Sequence, residues 1–258
     1  MNLDFHVHGL LTKKSKFNET LFLQGVEIAK EQRLDGYILC EHFNAKNINE
    51  IHDYLEKNYE YMGDKYIVND FSIFIGMEVD IKNGGHVIVA GNRENINKIK
   101  EELKDYMTKP DFIEFEKLLD LGEENNCLMV GSHPYRESHK LFLQPKELLS
   151  RLHALDLNST DIGARGLTEV EMQVKTLSNE INVPYVTGSD SHFPIQLGSV
   201  MTKFKEDFDT VDDIKIAISQ GDYEIHVSKA LDLKVFSAKT TKRVIKEEII
   251  KKDNLKIV

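Results

Sequence analysis

The feature that most constrains this chain is a recurring change of hydrophobic period. Short runs of β-type apolar residues alternate with segments whose apolar residues recur every three or four positions, the pattern of successive βα units. At 258 residues a closed α/β barrel fits in one domain, since such barrels run to about 250 residues. No internal repeat, Pro-rich linker or low-complexity tract divides the chain. The reading is therefore α/β, a single distorted (β/α)7 TIM-like barrel over residues 1–230. Residues 231–258, mixed and Lys-rich, are expected to form a peripheral helical tail of the same domain.

The first strand is expected over Asn2 to Val7 and the second over Tyr37 to Cys40. Between them Asn18 caps a helix carrying Phe22, Val26 and Ala29 on one face. Ile48, Ile51, Leu55, Tyr59 and Met62 form the stripe of the next helix. Asn83-Gly84 is a type I′ turn signal, so Ile73 to Ile81 and His86 to Ala90 are expected to form a hairpin and not a crossover. Later strands are expected at Cys127 to Gly131, His153 to Leu157 and Val183 to Thr187.

A formal charge of -10 opposes an extended nucleic-acid surface, because phosphate backbones are repelled unless a local cationic site outweighs the field. Two cysteines, Cys40 and Cys127, are too few for a disulfide framework. No apolar run approaches the ~20 residues of a membrane helix, and the amino terminus lacks a basic-then-apolar signal. A cytoplasmic protein with no membrane partner is the expectation.

The ten histidines are unevenly placed. His6 and His8 stand at i and i+2 at a strand end, so both imidazoles face one way, about 6 to 7 Å apart at Cα. A metal ion could accept both, and a solvent-facing pair is the alternative. Asp190 and His192 repeat the spacing after a later strand. Glu78 sits near the end of an apolar strand, where an unpaired carboxylate is costly and a cation is the economical partner. His42 and His133 each follow a strand, and the hairpin brings His86 to the same end. Scattered core histidines would not choose one end repeatedly. It is the end where barrel enzymes place their active sites, so a polynuclear metal site is expected. His52, His139, His153 and His226 do not fit the scheme and are expected to be structural or exposed.

The ordered set His6-Val7-His8, Glu41-His42, Gly76-Met77-Glu78, His86-Val87-Ile88-Val89, His133-Pro134 and Ser189-Asp190-Ser191-His192 resembles the PHP family, the polymerase and histidinol phosphatase domains, over residues 1 to about 230. The resemblance implies two or three divalent ions and hydrolysis of phosphoesters. It implies that His6, His8, Glu78 and Asp190 surround one ion, with Glu78 bridging to a second held by His86 and His133. His42 and His192 would serve a third. Mixed imidazole and carboxylate ligands suit Mn, Fe or Zn.

The expected activity is metal-dependent phosphoester hydrolysis by a metal-bridged hydroxide, with Glu78 as the shared acid and Asp190 or His192 handling the proton. Members often read HxHT followed by Ser-Asp-Gly. This chain has Lys13 and Lys14 where a third-site ligand is expected, so these lysines become candidate contacts to substrate phosphate. Arg136 and Arg165 are further candidates, because guanidinium suits bidentate phosphate contacts. The missing third imidazole argues against histidinol phosphate as substrate. A small phosphorylated metabolite, a nucleotide or an oligonucleotide end remains, and the sequence does not define the oligomer. Two other readings stay open: a non-catalytic or regulatory metal-binding module, and amidohydrolase-type C–N hydrolysis.

Overall fold

The computed structural model describes residues 1–255, with side chains described through Glu248. The first half runs β1 (Asn2–Val7), α1 (Glu19–Glu31), β2 (Gly36–His42), α2 (Ile48–Asn58), β3 (Glu60–Met62), β4 (Lys65–Val68), β5 (Phe71–Asp80), β6 (His86–Ala90) and α3 (Arg93–Glu102). It continues through α4 (Phe115–Glu124), β7 (Leu128–Ser132), α5 (Lys146–Leu149), β8 (Ala154–Asn158), α6 (Ser159–Arg165), α7 (Leu167–Ile181) and β9 (Tyr185–Gly188). The last elements are β10 (Val200–Phe204), α8 (Val211–Gln220), β11 (Tyr223–Val227) and α9 (Leu231–Leu255). None of the described helices is long and apolar enough to cross a membrane.

The strand order β11-β10-β1-β2-β5-β6-β7-β8-β9 makes a nearly closed wall. Closure comes where β9 meets β1: Asp190 N–H donates to His6 O at 2.7 Å, His8 N–H to Ser191 O at 2.8 Å, and Val7 bridges Ser191 in parallel. The expected barrel is present, but the count of seven regular βα units is not. β6 runs antiparallel to both β5 and β7, and β10 and β11 add an antiparallel flank to β1. The reason is local. Asn83, Gly84 and Gly85 all adopt positive φ, 65°, 99° and 123°, conformations that Asn and Gly tolerate best. The Gly84 N–H bonds the Ile81 carbonyl, so the expected two-residue type I′ turn is replaced by a longer loop, and the chain still doubles back where a regular unit would insert a helix.

Side-chain parity divides the core in two. Leu3, Phe5, Ile38, Cys40, Phe74, Ile88, Ala90, Leu128, Val130 and Val186 fill the barrel interior, with Phe208, Ile214 and Ile218 from α8 and its approach joining them. The alternate residues Tyr37, Leu39, Ile73, Ile75, Val87, Val89 and Met129 face the helices. Successive side chains of a strand point to opposite faces, so the same inward parity carries His42, Glu78, Asp80, Asp156 and Asn158 into the layer above the apolar plug.

β1 needs an irregularity to contribute. Its register against β2 shifts between Asp4 and Val7, and such a bulge re-aims the side chains beyond it. Leu3 and Phe5 point inward below the shift, Val7 joins the helix-facing core above it, and His6 and His8 reach the interior.

The closure seam is tightly packed. A Cβ on Gly188 would lie 2.4 Å from His6 Cβ and 2.6 Å from Asp156 Oδ1. Gly188→Ala is expected to destabilise the fold by about 1–3 kcal/mol, the range for overpacked sites. Urea unfolding checks this, and an unchanged midpoint would contradict the packing described.

Candidate metal centre

Glu78 lies at the middle of the layer above the plug, 1% exposed. Its Oε1 is 2.7 Å from His86 Nδ1, 3.0 Å from His133 Nε2 and 3.5 Å from His6 Nε2. Its Oε2 is 3.0 Å from His42 Nδ1 and 3.5 Å from His8 Nε2. Burial alone would raise this carboxyl, but the surrounding His86, His42 and His6 imidazoles reverse that and hold it well below the usual carboxylate range.

Asp190 is the second carboxylate. Its Oδ1 lies 3.4 Å from His8 Nε2, 3.6 Å from His192 Nε2 and 3.8 Å from His6 Nε2. Asp190 and His133 both hold positive φ, 55° and 31°, a strained backbone for non-glycine residues and one that concentrates at functional sites. Burial opposes ionisation of Asp190, and Arg136 with His6 outweighs it, holding the carboxyl low.

An outer set of groups fixes the rings. His6 Nδ1 is 3.0 Å from Asp156 Oδ2, which also accepts from Asn158 Nδ2 at 2.8 Å. His192 Nδ1 is 2.9 Å from the Leu10 carbonyl. Both contacts engage Nδ1 and leave Nε2 facing the centre, the arrangement metal-binding histidines use. Glu41 Oε1 accepts from the backbone N–H groups of Gly9 and Leu10, and its Oε2 stands 3.6 Å from His8 Nδ1. Asp4 ties β1 to β9 by accepting from Ser189 N at 2.9 Å and His6 N at 3.1 Å. Burial pushes its carboxyl up to about 7 despite those bonds.

The donor set fits divalent ions. Three groupings, His8–His42–His192, His6–His8–Asp190 and His42–Glu78–His86, each bring ligand atoms within 4.8 Å of one another. The Nε2 atoms of His6 and His8 converge to 3.2 Å. The carboxylates also demand positive charge. Although burial opposes it, Glu78 and Asp80 raise His86 to about 9, and Glu78 with Asp190 raises His6. Cations would satisfy that demand and leave the imidazoles neutral as ligands.

The residues singled out as ligands therefore all gather here. The proposed phosphate contacts divide: Arg136 lines the cavity at this site, although its guanidinium is engaged there, and the others lie outside that lining. Arg136 spends its guanidinium on Asp190 (2.7 Å), Asp161 (2.8 Å) and Asn158 (2.9 Å). Lys13 pairs with Asp80 at 2.9 Å, Lys14 is exposed, and Arg165 binds Gln173 and Glu169 and stands 3.7 Å from Asp161. His139, expected to be structural or exposed, instead has its ring centroid 3.8 Å from that of His86, tilted by 44°, and forms a further grouping with His86 and Asp80. Asp80 had a readable signal, two residues beyond Glu78 on one strand face. His139 had none, because only the loop after β7 returns it to the site.

A cavity of about 280 Å³ opens onto this cluster, bounded by His42, Glu78, His86, Asp190 and His192 on one side and by Ala238, Lys239 and Lys242 of α9 on the other. The tail thus reaches the site through a helix seated on α6, although it was expected to be peripheral. Residues 256–258 of that expectation lie outside the described residues.

A family model described as PHP-associated matches residues 171–223. That segment is a minor part of the chain, and the match agrees with the PHP resemblance that the motifs carry. Among solved structures, the chain is similar to PsfC from Pseudomonas syringae PB-5123, with 19% identity, TM-score 0.79, and 95% of this chain and 98% of that one covered. It is similar to the lesion-specific endonuclease PfuEndoQ from Pyrococcus furiosus, with 19% identity and TM-score 0.65, covering 87% of this chain and 57% of that one. It is also similar to a putative metal-dependent phosphoesterase from Bifidobacterium adolescentis, with 12% identity and TM-score 0.50, covering 84% and 96%. No curated protein matches by sequence.

Asp156→Asn is expected to weaken Mn2+ binding about 10-fold or more, the usual cost of altering a group that orients a histidine ligand. Calorimetric titration checks this, and unchanged affinity would contradict the role given to the Asp156–His6 contact.

Proposed function

We propose that this chain is a PHP-family protein and acts as a metal-dependent phosphoesterase. The observation that carries the reading is the Glu78 carboxylate, which faces imidazole nitrogens from β1, β2, β6 and the end of β7 with both of its oxygens. One carboxylate shared in this way suits two neighbouring ions. His6, His8 and Asp190 would hold one with Glu78, His86 and His133 the other, and His42 with His192 a third. When bound, such ions supply an activated water and neutralise charge on the oxygens of a transferring phosphoryl group.

The chain's own residues do the rest. Arg136 locks Asp190 through Oδ2 and leaves Oδ1 turned to the centre. The Leu10 carbonyl accepts from His192 Nδ1 and turns Nε2 of that ring to the centre as a ligand atom. Hydrolysis forms a bond from water oxygen to phosphorus and breaks the ester P–O bond, with the proton passing to the alcohol released. A nucleotide or oligonucleotide end stays within the substrate class, given the likeness to an endonuclease. The formal charge of -10 opposes a long duplex footprint.

Initial rates on nitrophenyl phosphate, bis-nitrophenyl phosphate and a nitroanilide, with Mn2+ or with chelator, test this. Phosphoester turnover should require Mn2+ and fall roughly 100-fold or more in Asp190→Asn, the scale of losing a charge-stabilising group at a reacting centre. Turnover of the anilide alone would favour C–N hydrolysis. Phosphoester turnover that survives chelator would contradict the reading.

A further inference from the structure

α9 carries a buried seam that changes character where it reaches the cavity. Leu231, Val235 and Ala238 are buried at helical spacing, with Val235 packed on Gly163 of α6 so closely that a Cβ there would lie 2.8 Å away. The next position of that stripe is Lys242. Neighbouring Lys239, one turn earlier, lines the same cavity. Lys242 is half-buried and Lys239 exposed; an apolar residue at 242 would continue the seam more cheaply, since even partial burial of an ammonium costs free energy unless a partner is provided.

No protein group among the described residues provides it. Lys242 has no hydrogen bond or ion pair within them, and Lys239 has one long contact, Nζ donating to Thr160 O at 3.3 Å. The other cations near the site are already engaged: Arg136 by Asp190, Asp161 and Asn158, and Lys13 by Asp80. The two α9 ammoniums therefore face the histidine and carboxylate cluster across about 280 Å³ with charge to spare.

We propose that Lys239 and Lys242 bind the terminal phosphate oxygens of a phosphomonoester, making α9 the element that selects monoesters over diesters. The proposal rests on the phosphoesterase reading and adds its substrate class. A monoester dianion presents a charged oxygen on the side away from the ions, where these lysines stand. A diester places its second ester group there, against the helix.

The test uses the full chain loaded with Mn2+, comparing wild type with Lys242→Gln, the Lys239→Gln/Lys242→Gln pair and Lys242→Arg. For nitrophenyl phosphate KM should rise about tenfold or more in Lys242→Gln, the scale of one charge-assisted hydrogen bond, with kcat changed far less. The bis-nitrophenyl diester should keep its kcat/KM within about twofold, as expected for a contact it does not make, and Lys242→Arg should restore most of the loss. Inorganic phosphate, titrated calorimetrically, should bind the double variant correspondingly more weakly, while Mn2+ affinity stays the same. This arm decides the proposal even if the wild type hydrolyses neither ester, an outcome that would count against the phosphoesterase reading alone. Equal losses on monoester and diester, or unchanged phosphate affinity, would overturn the role given to α9.

Discussion

The structure depends on how one buried carboxylate is surrounded. Glu78 is held ionised inside a barrel because imidazoles from separate strands stand within 3.5 Å of its two oxygens. Low dielectric makes both the attraction and the cost of an unbalanced charge large. Asp190, Asp80 and Asp156 add further negative charge to the same layer. The protein balances part of it with Arg136 and Lys13, and the remaining demand is what makes the cluster a receptor for divalent cations.

Delivering those groups to one point is a problem of strand direction and parity. Parallel strands bring His42 and Glu78 to one end, where they are register partners. The reversed β6 starts at that end, so its first residue, His86, pairs with Asp80. The register shift in β1 allows Leu3 and Phe5 to fill the plug while His6 and His8 line the centre. Without it, strict alternation could not place Phe5 and His6 on the same side.

Much of this was legible in the sequence, and the gaps have physical causes. The hairpin was readable because Asn83-Gly84 is a local signal with a stereochemical reason. The clustering of the candidate ligands was readable because strand ends collect them, whatever the exact register. The β1 bulge was not, since it is defined only against β2. Seven regular units were expected because each apolar run was counted as one stave of a parallel barrel; pairing decided otherwise. Arg136 read equally as a phosphate contact or a salt-bridge partner, and only the fold brings Asp161 and Asn158 beside it. The part played by α9 was hidden for the same reason, because a Lys-rich stretch reads as solvated until the seam beneath Val235 and Ala238 is known.

The central claim is that Glu78 joins two ions in one centre. Electron paramagnetic resonance of the Mn2+-loaded protein tests it most directly, since two Mn2+ ions sharing a carboxylate a few Å apart are exchange-coupled. The account predicts a coupled-pair spectrum in the wild type that collapses to isolated-ion lines in Glu78→Gln. A wild type showing only isolated Mn2+ at full loading would contradict it.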